Sequence, residues 1–405
     1  MPPAGLLRNA LILGLISAIG PFAIDMYLPA LPNIGADLHA ESGAVQMSLL
    51  SFFIAAAISQ LFYGPLSDMY GRKVPLYSGL VLFGIGCVGA ALSTSIDMLV
   101  SFRFLQGIGA AAGMVIPRAI VRDLYTGVDA ARLMSLLMLV FSVSPIMAPL
   151  SGSLIIDYYS WRMVFWIVLL ATLIGIVMLV LWQKETRPVA ARVESSLSSA
   201  LAGYSRLMKD WNFIGLVMIG AMCMAGFMVY LANSSFVFIQ QYGFTSREYA
   251  LAFSVNAISF IGMSQLNGLL ASRFGLKRVV LFSVSCAAFI LTAMLVAVLS
   301  GAHSYPVIAS FLFVGFGFLG LVIPTTAVLA LEDHGKIAGT ASALMGTLQF
   351  LMAAIAIGVS SMFSDGTILP MVAGITLSIV AAFVLTLIVL RNKPTMHDLQ
   401  SSVAG

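Results

Sequence analysis

The chain has 405 residues, of which 60% are hydrophobic and 9% are charged, and its mean hydropathy is +1.04. Soluble domains carry about 25% charged residues, so this composition excludes a soluble fold for most of the chain. The net charge of +4 does not indicate nucleic-acid binding, because the basic residues are scattered among short polar segments. The solvent of this protein is expected to be mainly lipid.

Apolar runs long enough to cross a membrane follow one another along the chain. A span requires about 20 apolar residues. Six runs lie at about 9–31, 45–65, 75–95, 98–121, 132–156 and 162–182, and six more at about 213–238, 248–270, 279–300, 305–331, 337–363 and 368–390. The first is too long for a cleaved signal peptide, so we expect it to be retained. The sequence predicts an all-α membrane protein with twelve transmembrane helices in two pseudo-symmetric six-helix bundles.

A polar turn after the second run recurs 204 residues later, which indicates that the two halves arose by duplication. The first copy reads GPLSDMYGRK and the second GLLASRFGLKR. Gly64, Gly71 and Lys73 match Gly268, Gly275 and Lys277, whereas Ser272 and Leu276 replace Asp68 and Arg72.

The distribution of Lys and Arg predicts the orientation. With the N-terminus in the cytoplasm, 17 of the 20 basic residues fall in inner segments and only Arg162 and Arg247 in outer loops. Both termini are therefore expected to be cytoplasmic. The longest polar segment divides the chain into a first bundle (1–183), a cytoplasmic linker (184–212) and a second bundle (213–405). Residues 201–211 of the linker are predicted to form a short amphipathic helix.

Two charged residues lie well inside predicted spans. Counting 1.5 Å per residue from Arg8 and from Asp97 places Asp25 of span 1 and Arg103 of span 4 in the same outer third of the membrane. An intramembrane charge costs about 2.5–3.5 kcal/mol on insertion scales. The pair is either a structural salt bridge or a proton-coupling pair in which Arg103 controls a protonatable Asp25, and the two roles are compatible.

A second charged cluster lies at the inner ends of the spans. Its charged members are Asp68, Arg72, Lys73, Arg122 and Asp123, and Gly64 and Gly71 flank the turn. These charges are either topology signals or a latch that holds the halves together on the inner side in one state. The glycines permit a tight turn and a close approach of helices.

Span 5 contains Pro145, Pro149 and Gly152 among serines and alanines. Small residues and prolines allow close packing and bending of membrane helices. Helix packing explains most of this pattern, and the two prolines also predict a hinge at the interface between the halves.

A substrate cavity is expected near the midplane, between the two halves. Its candidate polar and aromatic residues are Gln106, Tyr230, Asn233, Asn256 and Gln349, each of which is also explained by helix packing. The cysteines lack metal-ligand spacing and the four histidines lie in loops or tails, so no metal, cofactor or enzymatic activity is predicted.

Three motifs resemble those of the major facilitator superfamily, and the twelve predicted spans extend the resemblance over the whole chain. Gly64 to Leu76 resembles its loop 2–3 signature, and Arg103-x-x-Gln106-Gly107-x-Gly109 resembles the span-4 signature of proton-coupled members. Ala148-Pro149-x-x-Gly152 resembles the antiporter signature, although Ala148 and Ser153 replace glycines. The segments 25–32 and 339–350 resemble the Bcr/CflA group of drug efflux proteins.

The resemblance implies a monomeric, proton-driven exporter of small hydrophobic compounds in a bacterial inner membrane. Asp25 would be the coupling acid and Arg103 its partner, with Asp68, Arg72 and Asp123 as an inner charge relay. The alternative is a carrier of the same fold that moves one metabolite, such as a nucleoside.

Overall fold

The computed structural model describes residues 4–125, 127–189, 192, 197–334, 337–365 and 367–391. Helices dominate the first half. They are α1 (Ala4–Asp25), α2 (Leu31–Asp37), α3 (Ser42–Tyr70), α4 (Lys73–Ala91), α5 (Ile96–Leu124), α6 (Gly127–Tyr158) and α7 (Arg162–Trp182). A 3₁₀ turn at Leu28–Ala30 separates α1 from α2.

The second half repeats this arrangement after a short helix in the linker. Its helices are α8 (Leu197–Met208), α9 (Trp211–Phe236), α10 (Ser246–Gln265), α11 (Asn267–Phe274), α12 (Leu276–Leu299), α13 (Tyr305–Glu332), α14 (Ala338–Met362) and α15 (Ile368–Arg391). A π-helical turn at Val237–Gln241 extends α9. The helix α8 confirms the predicted helical segment of the linker and begins four residues earlier than expected.

Ten helical segments within the described residues are long and apolar enough to cross a membrane, beginning with Gly5–Asp37. The bent pair α10 and α11 is an eleventh when its two helices are counted as one span. The 32-residue helix α6, which coincides with the predicted fifth span, provides the length of a twelfth. The structure thus confirms an all-α membrane protein built from two six-helix bundles.

Two glycines of the repeated turn adopt the same unusual backbone conformation. Gly71 ends α3 with φ +89° and Gly275 ends α11 with φ +80°. Positive φ values of this size favour glycine, which has no Cβ. The shared conformation at matching positions supports the duplication inferred from the sequence.

The halves meet along two pairs of helices, α3 with α14 and α6 with α10. The rings of Phe53 and Phe350 stack at 5.5 Å in the first pair, and Thr347 donates to the carbonyl oxygen of Ala57 over 2.9 Å. The linker helix α8 lies against the same pair, since the Tyr204 hydroxyl donates to the carbonyl oxygen of Leu61 over 3.0 Å.

Candidate functional site

A cavity of about 500 Å³ lies between the two halves. It reaches the inner ends of α5 and α14, where Arg122 and Gly339 line it, and Asp25 lines it deeper in the bundle. Most of the surrounding side chains are apolar. They include Phe53, Met114, Met134, Pro145, Met224, Phe227, Met228, Leu231, Met345 and Phe350, with Gln60, Ser342 and Gln349 as neutral polar members.

Asp25 is the last residue of α1 and is 7% exposed. The helix ends there because Pro29 and Pro32 follow closely, and proline cannot continue the backbone hydrogen bonding of a helix. This interruption between α1 and α2 is the break in span 1. The Ser144 hydroxyl donates to Asp25 Oδ2 over 3.1 Å. The carboxyl group is therefore buried next to the cavity with a hydroxyl as its described hydrogen-bond donor.

Arg103 is fully buried beside the same break. Its Nη1 donates to the carbonyl oxygen of Ala23 over 3.3 Å and to Gln106 Oε1 over 2.9 Å. The rings of Tyr27 and Phe52 lie 4.7 Å and 4.6 Å from the guanidinium carbon. Nε and Nη2 have no hydrogen-bond partner among the residues that the structure describes.

Within the described part of the chain, no ion pair joins Asp25 to Arg103. The predicted proximity to span 1 is present, but Arg103 bonds to the span's backbone and Asp25 turns toward Ser144 of α6. The direct pair inferred from matching depths is therefore absent in this conformation. Depth alone does not define the side of the helix on which a residue lies.

The predicted span-5 residues lie next to the break in span 1. Pro145 lines the cavity, and α6 continues through both prolines as one helix. A Cβ atom at Gly152 would clash with the carbonyl oxygen of Met26. Gly152 is therefore required for the close approach of α6 to the break. The sequence pattern around Pro149 and Gly152 did not predict this contact.

One of the five predicted cavity residues, Gln349, lines the cavity. Gln106 is instead fully buried between Arg103 and the Cys87 sulfur, to which its Nε2 donates over 3.0 Å. Asn256 Nδ2 donates to the Tyr230 hydroxyl over 2.9 Å, and Tyr230 belongs to an aromatic cluster. These three side chains are packing residues in this conformation, because each is fixed by a buried hydrogen bond.

Asn233 belongs to a polar network that joins the halves at their outer ends. Gln46 Nε2 donates to Asn233 Oδ1 over 3.1 Å and to Ser364 Oγ over 3.3 Å. Asn233 Nδ2 in turn donates to Ser360 Oγ over 2.7 Å. The network lies at the opposite end from Arg122, so the cavity reaches the inner side while this network holds the outer side together.

The inner charged cluster centres on Arg72, which is 4% exposed. Its Nη1 lies 2.7 Å from Asp68 Oδ1, and its Nε lies 2.7 Å from Asp123 Oδ2. The Ser67 hydroxyl accepts a further hydrogen bond over 2.8 Å. The structure thus brings together the three charged residues expected to form the inner relay, all within the first half.

Glu185 is a member of this cluster that the sequence did not indicate. Its carboxylate accepts hydrogen bonds from the backbone nitrogens of Arg72 and Lys73 over 2.9 Å and 3.1 Å. Partial burial raises the pKa of Glu185, but the backbone donors of Arg187, Arg72, Lys73 and Thr186 outweigh it and hold the pKa below its ordinary value. Glu185 therefore attaches the segment after α7 to the start of α4.

Three other members of the predicted cluster occupy different surroundings. Arg122 lines the cavity, because adjacent residues of a helix point about 100° apart and Asp123 takes the side facing Arg72. The Lys73 ammonium lies 5.6 Å from the ring centre of Tyr77. A Cβ atom at Gly64 would meet no described atom within 4 Å, so the described helices do not make the close approach expected there in this conformation.

The comparisons with known proteins agree with this architecture. The family model described as Major Facilitator Superfamily matches residues 13–357. The chain is 34% identical over 361 residues to the uncharacterized MFS-type transporter YdgK of Bacillus subtilis, covering 87% of this chain and 89% of the relative. It is 29% identical over 394 residues to a bicyclomycin resistance protein homolog of Haemophilus influenzae, covering 93% and 95%.

A solved structure of a D-xylose-proton symporter has the same fold, with a TM-score of 0.75 at 15% identity and coverage of 94% of this chain and 97% of that chain. The fold, the family match and the coverage of the relatives support one conclusion. This chain is a multi-pass membrane transport protein that belongs to the Major Facilitator Superfamily.

Proposed function

We propose that the protein exports small hydrophobic compounds across a bacterial inner membrane in exchange for protons, by alternating access. The observation that carries the proposal is the position of Asp25, a carboxyl group buried inside the bundle that lines the cavity between the halves. A group in that position can hold either a proton or a negative charge where a substrate binds. The relative named as a bicyclomycin resistance protein homolog supports a drug as the exported compound.

The cavity lining favours hydrophobic compounds over one small polar metabolite. Methionine and phenylalanine side chains supply much of its surface, and flexible methionines adapt to ligands of different shape. A nucleoside or sugar would need several fixed polar partners. The buried hydrogen bonds of Gln106, Tyr230 and Asn256 remove three of the candidates for such partners.

We propose a cycle in which Asp25 and Arg103 change partners. In the inward-facing state Arg103 donates to the Ala23 carbonyl oxygen, and its Nε and Nη2 lack partners within the described part of the chain. After the cavity opens outward, substrate leaves, a proton binds Asp25, and its neutral form favours the return. Rearrangement of the break between α1 and α2 would bring the ionised Asp25 to those two donors.

The proposed inner latch consists of Asp68, Arg72 and Asp123, with Gly71 forming the turn. In the outward-facing state, these groups would contact the second half and close the inner side. Pro145, Pro149 and Gly152 would supply the hinge in α6. The division into bundles at 1–183 and 213–405, and a monomeric state, complete the proposal.

The driving force is sufficient for efflux. One charge moved through 100 mV corresponds to about 2.3 kcal/mol, which sustains roughly a 50-fold concentration gradient. Acidified inside-out vesicles provide the test, because substrate entering their lumen should release protons. Several unrelated hydrophobic drugs should each raise the lumenal pH, and Asp25→Asn should abolish the response. A response to a single metabolite alone would replace the proposal with the specific carrier.

The matched control is Asp97→Asn, which removes an exposed acid from the outer end of α5. It should transport as the unchanged protein does. Full active efflux by Asp25→Asn would contradict the assignment of Asp25 as the coupling acid.

A further inference from the structure

Charge is distributed unevenly along the cavity. The described lining residues include one acid, Asp25, and two bases, Arg118 and Arg122. Both arginine side chains are exposed, although Arg118 lies six residues before the end of α5. The predicted fourth span, 98–121, contains Arg118, and the structure places this residue on the cavity.

The two arginines share one face of α5. They are four residues apart, which places their side chains on the same side of a helix about 6 Å apart along its axis. Their neighbour Asp123 faces Arg72 instead. The inner cluster therefore does not require Arg122, and the two guanidinium groups together line the inner mouth of the cavity.

The acid and the bases lie at opposite ends of the cavity. Arg103, which bonds to Ala23 beside Asp25, precedes Arg118 by 15 residues, or about 22 Å along α5. Apolar side chains such as Met114, Met228 and Phe350 line the space between these ends. An elongated molecule entering from the inner side would contact the arginines at one end and this apolar surface with the remainder.

The position of Arg118 is not explained by topology alone. Basic residues that set orientation lie in loops or at the ends of spans, as Arg122 does. Arg118 lies about 6 Å further into the membrane than Arg122, and charged residues inside a span are rare and commonly mark a functional site. Guanidinium groups bind carboxylate, sulfonate and phosphate groups through paired hydrogen bonds, and these bonds are stronger than those between neutral groups.

We propose that Arg118 and Arg122 form an anion subsite at the inner mouth of the cavity. Its ligands are amphipathic compounds whose acidic group binds the two arginines while their apolar part lies among the methionines and phenylalanines. The proposal rests on the proposed export of hydrophobic compounds and narrows their class to those that include an acidic group. The same chemistry would accept the headgroup of an anionic lipid, and the test separates the two sources.

The test compares two fluorescent probes that differ only in a sulfonate, 8-anilinonaphthalene-1-sulfonate and N-phenyl-1-naphthylamine. Binding to the purified full chain is measured in phosphatidylcholine nanodiscs, with the signal of empty nanodiscs subtracted. Arg118→Gln and Arg122→Gln should each weaken binding of the sulfonate probe by about tenfold. Binding of the uncharged probe should change by less than about twofold.

Two controls keep the result interpretable. Arg278→Gln removes an exposed base from the inner end of the second half, outside the cavity, and should leave both probes unaffected. Arg118→Lys retains the charge without the planar group, so it should weaken binding of the sulfonate probe less than Arg118→Gln does. Binding is measured without a proton gradient. The result therefore tests the anion subsite even if the protein does not couple transport to protons.

Three outcomes would overturn the proposal. Equally weakened binding of both probes would show that the arginines support the shape of the cavity. Unchanged binding of the sulfonate probe would show that they do not hold the anion. The third outcome uses nanodiscs containing phosphatidylglycerol. Displacement of the sulfonate probe by that lipid, abolished in Arg118→Gln, would assign the subsite to a lipid headgroup instead of a transported compound.

Discussion

Arg103 donates a hydrogen bond to the carbonyl oxygen of Ala23 over 3.3 Å and thereby joins α5 to the end of α1. In a continuous helix, the backbone nitrogen of Tyr27 would bond to that oxygen. Here the Tyr27 nitrogen bonds to the Ile24 oxygen over 3.3 Å, which leaves the Ala23 oxygen without its helical partner. Arg103 therefore supplies the donor that the break next to Asp25 removes.

Replacing Arg103 by methionine should separate its structural role at the break from its proposed role in proton coupling. Among the described residues the hydrogen-bond acceptors of Arg103 are neutral, so its replacement leaves no unpaired buried carboxylate, and Tyr27 and Phe52 already surround the side chain. We expect the free energy of unfolding of Arg103→Met to lie within about 2 kcal/mol of that of the unchanged protein. Proton-coupled efflux should be lost. Thermal unfolding in detergent and vesicle transport are the measurements. Arg247→Met, at an exposed outer ion pair, is the control, and retained efflux by Arg103→Met would contradict its role.

Gly152→Ala tests the contact between α6 and the break in span 1. The added Cβ atom would clash with the Met26 carbonyl oxygen, and overpacking of this kind costs about 1–3 kcal/mol. We expect a lower thermal unfolding temperature and reduced transport. At Gly262 of α10 a Cβ atom would meet no atom of the described residues within 4 Å, so Gly262→Ala should keep both properties. Equal behaviour of the two variants would contradict the close contact.

Glu185→Gln should change the acid stability of the protein. Because the folded-state pKa of Glu185 lies below its ordinary value of 4.5, the ionised group stabilises the fold above that pH. This stabilisation is lost as the pH falls from about 4.5 through the depressed value. The unfolding temperature measured between pH 7 and pH 3 should therefore fall less steeply in Glu185→Gln than in the unchanged protein.

The control for this experiment is Glu332→Gln, at an exposed acid at the inner end of α13. It should retain the acid sensitivity of the unchanged protein. Identical pH profiles for Glu185→Gln and the unchanged protein would show that the contacts with Arg72 and Lys73 do not stabilise the fold.

Asn233→Ala should favour opening of the outer side. The substitution removes the acceptor for Gln46 and the donor for Ser360 in the network between the halves. Spin labels at positions 97 and 300, on exposed outer ends of the two halves, would report a larger population of long distances. The native cysteines are first replaced, and Ser310→Ala, whose hydroxyl bonds within its own helix, is the control. An unchanged distance distribution would contradict the role of the network.

The spans could be predicted because their signal is local. A run of apolar residues identifies a membrane helix without knowledge of its neighbours, and α7 has the predicted bounds of 162–182. Asp25 and Arg103 were identifiable for a related reason, since charges inside apolar runs are rare. The turn at Gly71 was likewise indicated by its glycine and its repeat at Gly275.

Contacts between helices could not be predicted in the same way. The partner of Asp25 depends on the rotation of α1 against α6, which places Ser144 beside it. Whether Arg122 or Asp123 faces Arg72 depends on the rotation of α5. Ser144 gave no sequence signal, because serine is common in membrane helices, whereas the depth of Arg118 within α5 was a signal that could have been used.

We propose that Asp25 exchanges its proton for substrate, and this exchange is measured as proton release when substrate binds. Purified protein in a weakly buffered detergent solution near neutral pH is mixed with each drug of a panel, and the pH is recorded. We expect the unchanged protein to release up to about one proton for each bound drug and Asp25→Asn to release none. Drug binding with equal proton release from Asp25→Asn, or without any release from the unchanged protein, would contradict the proposal.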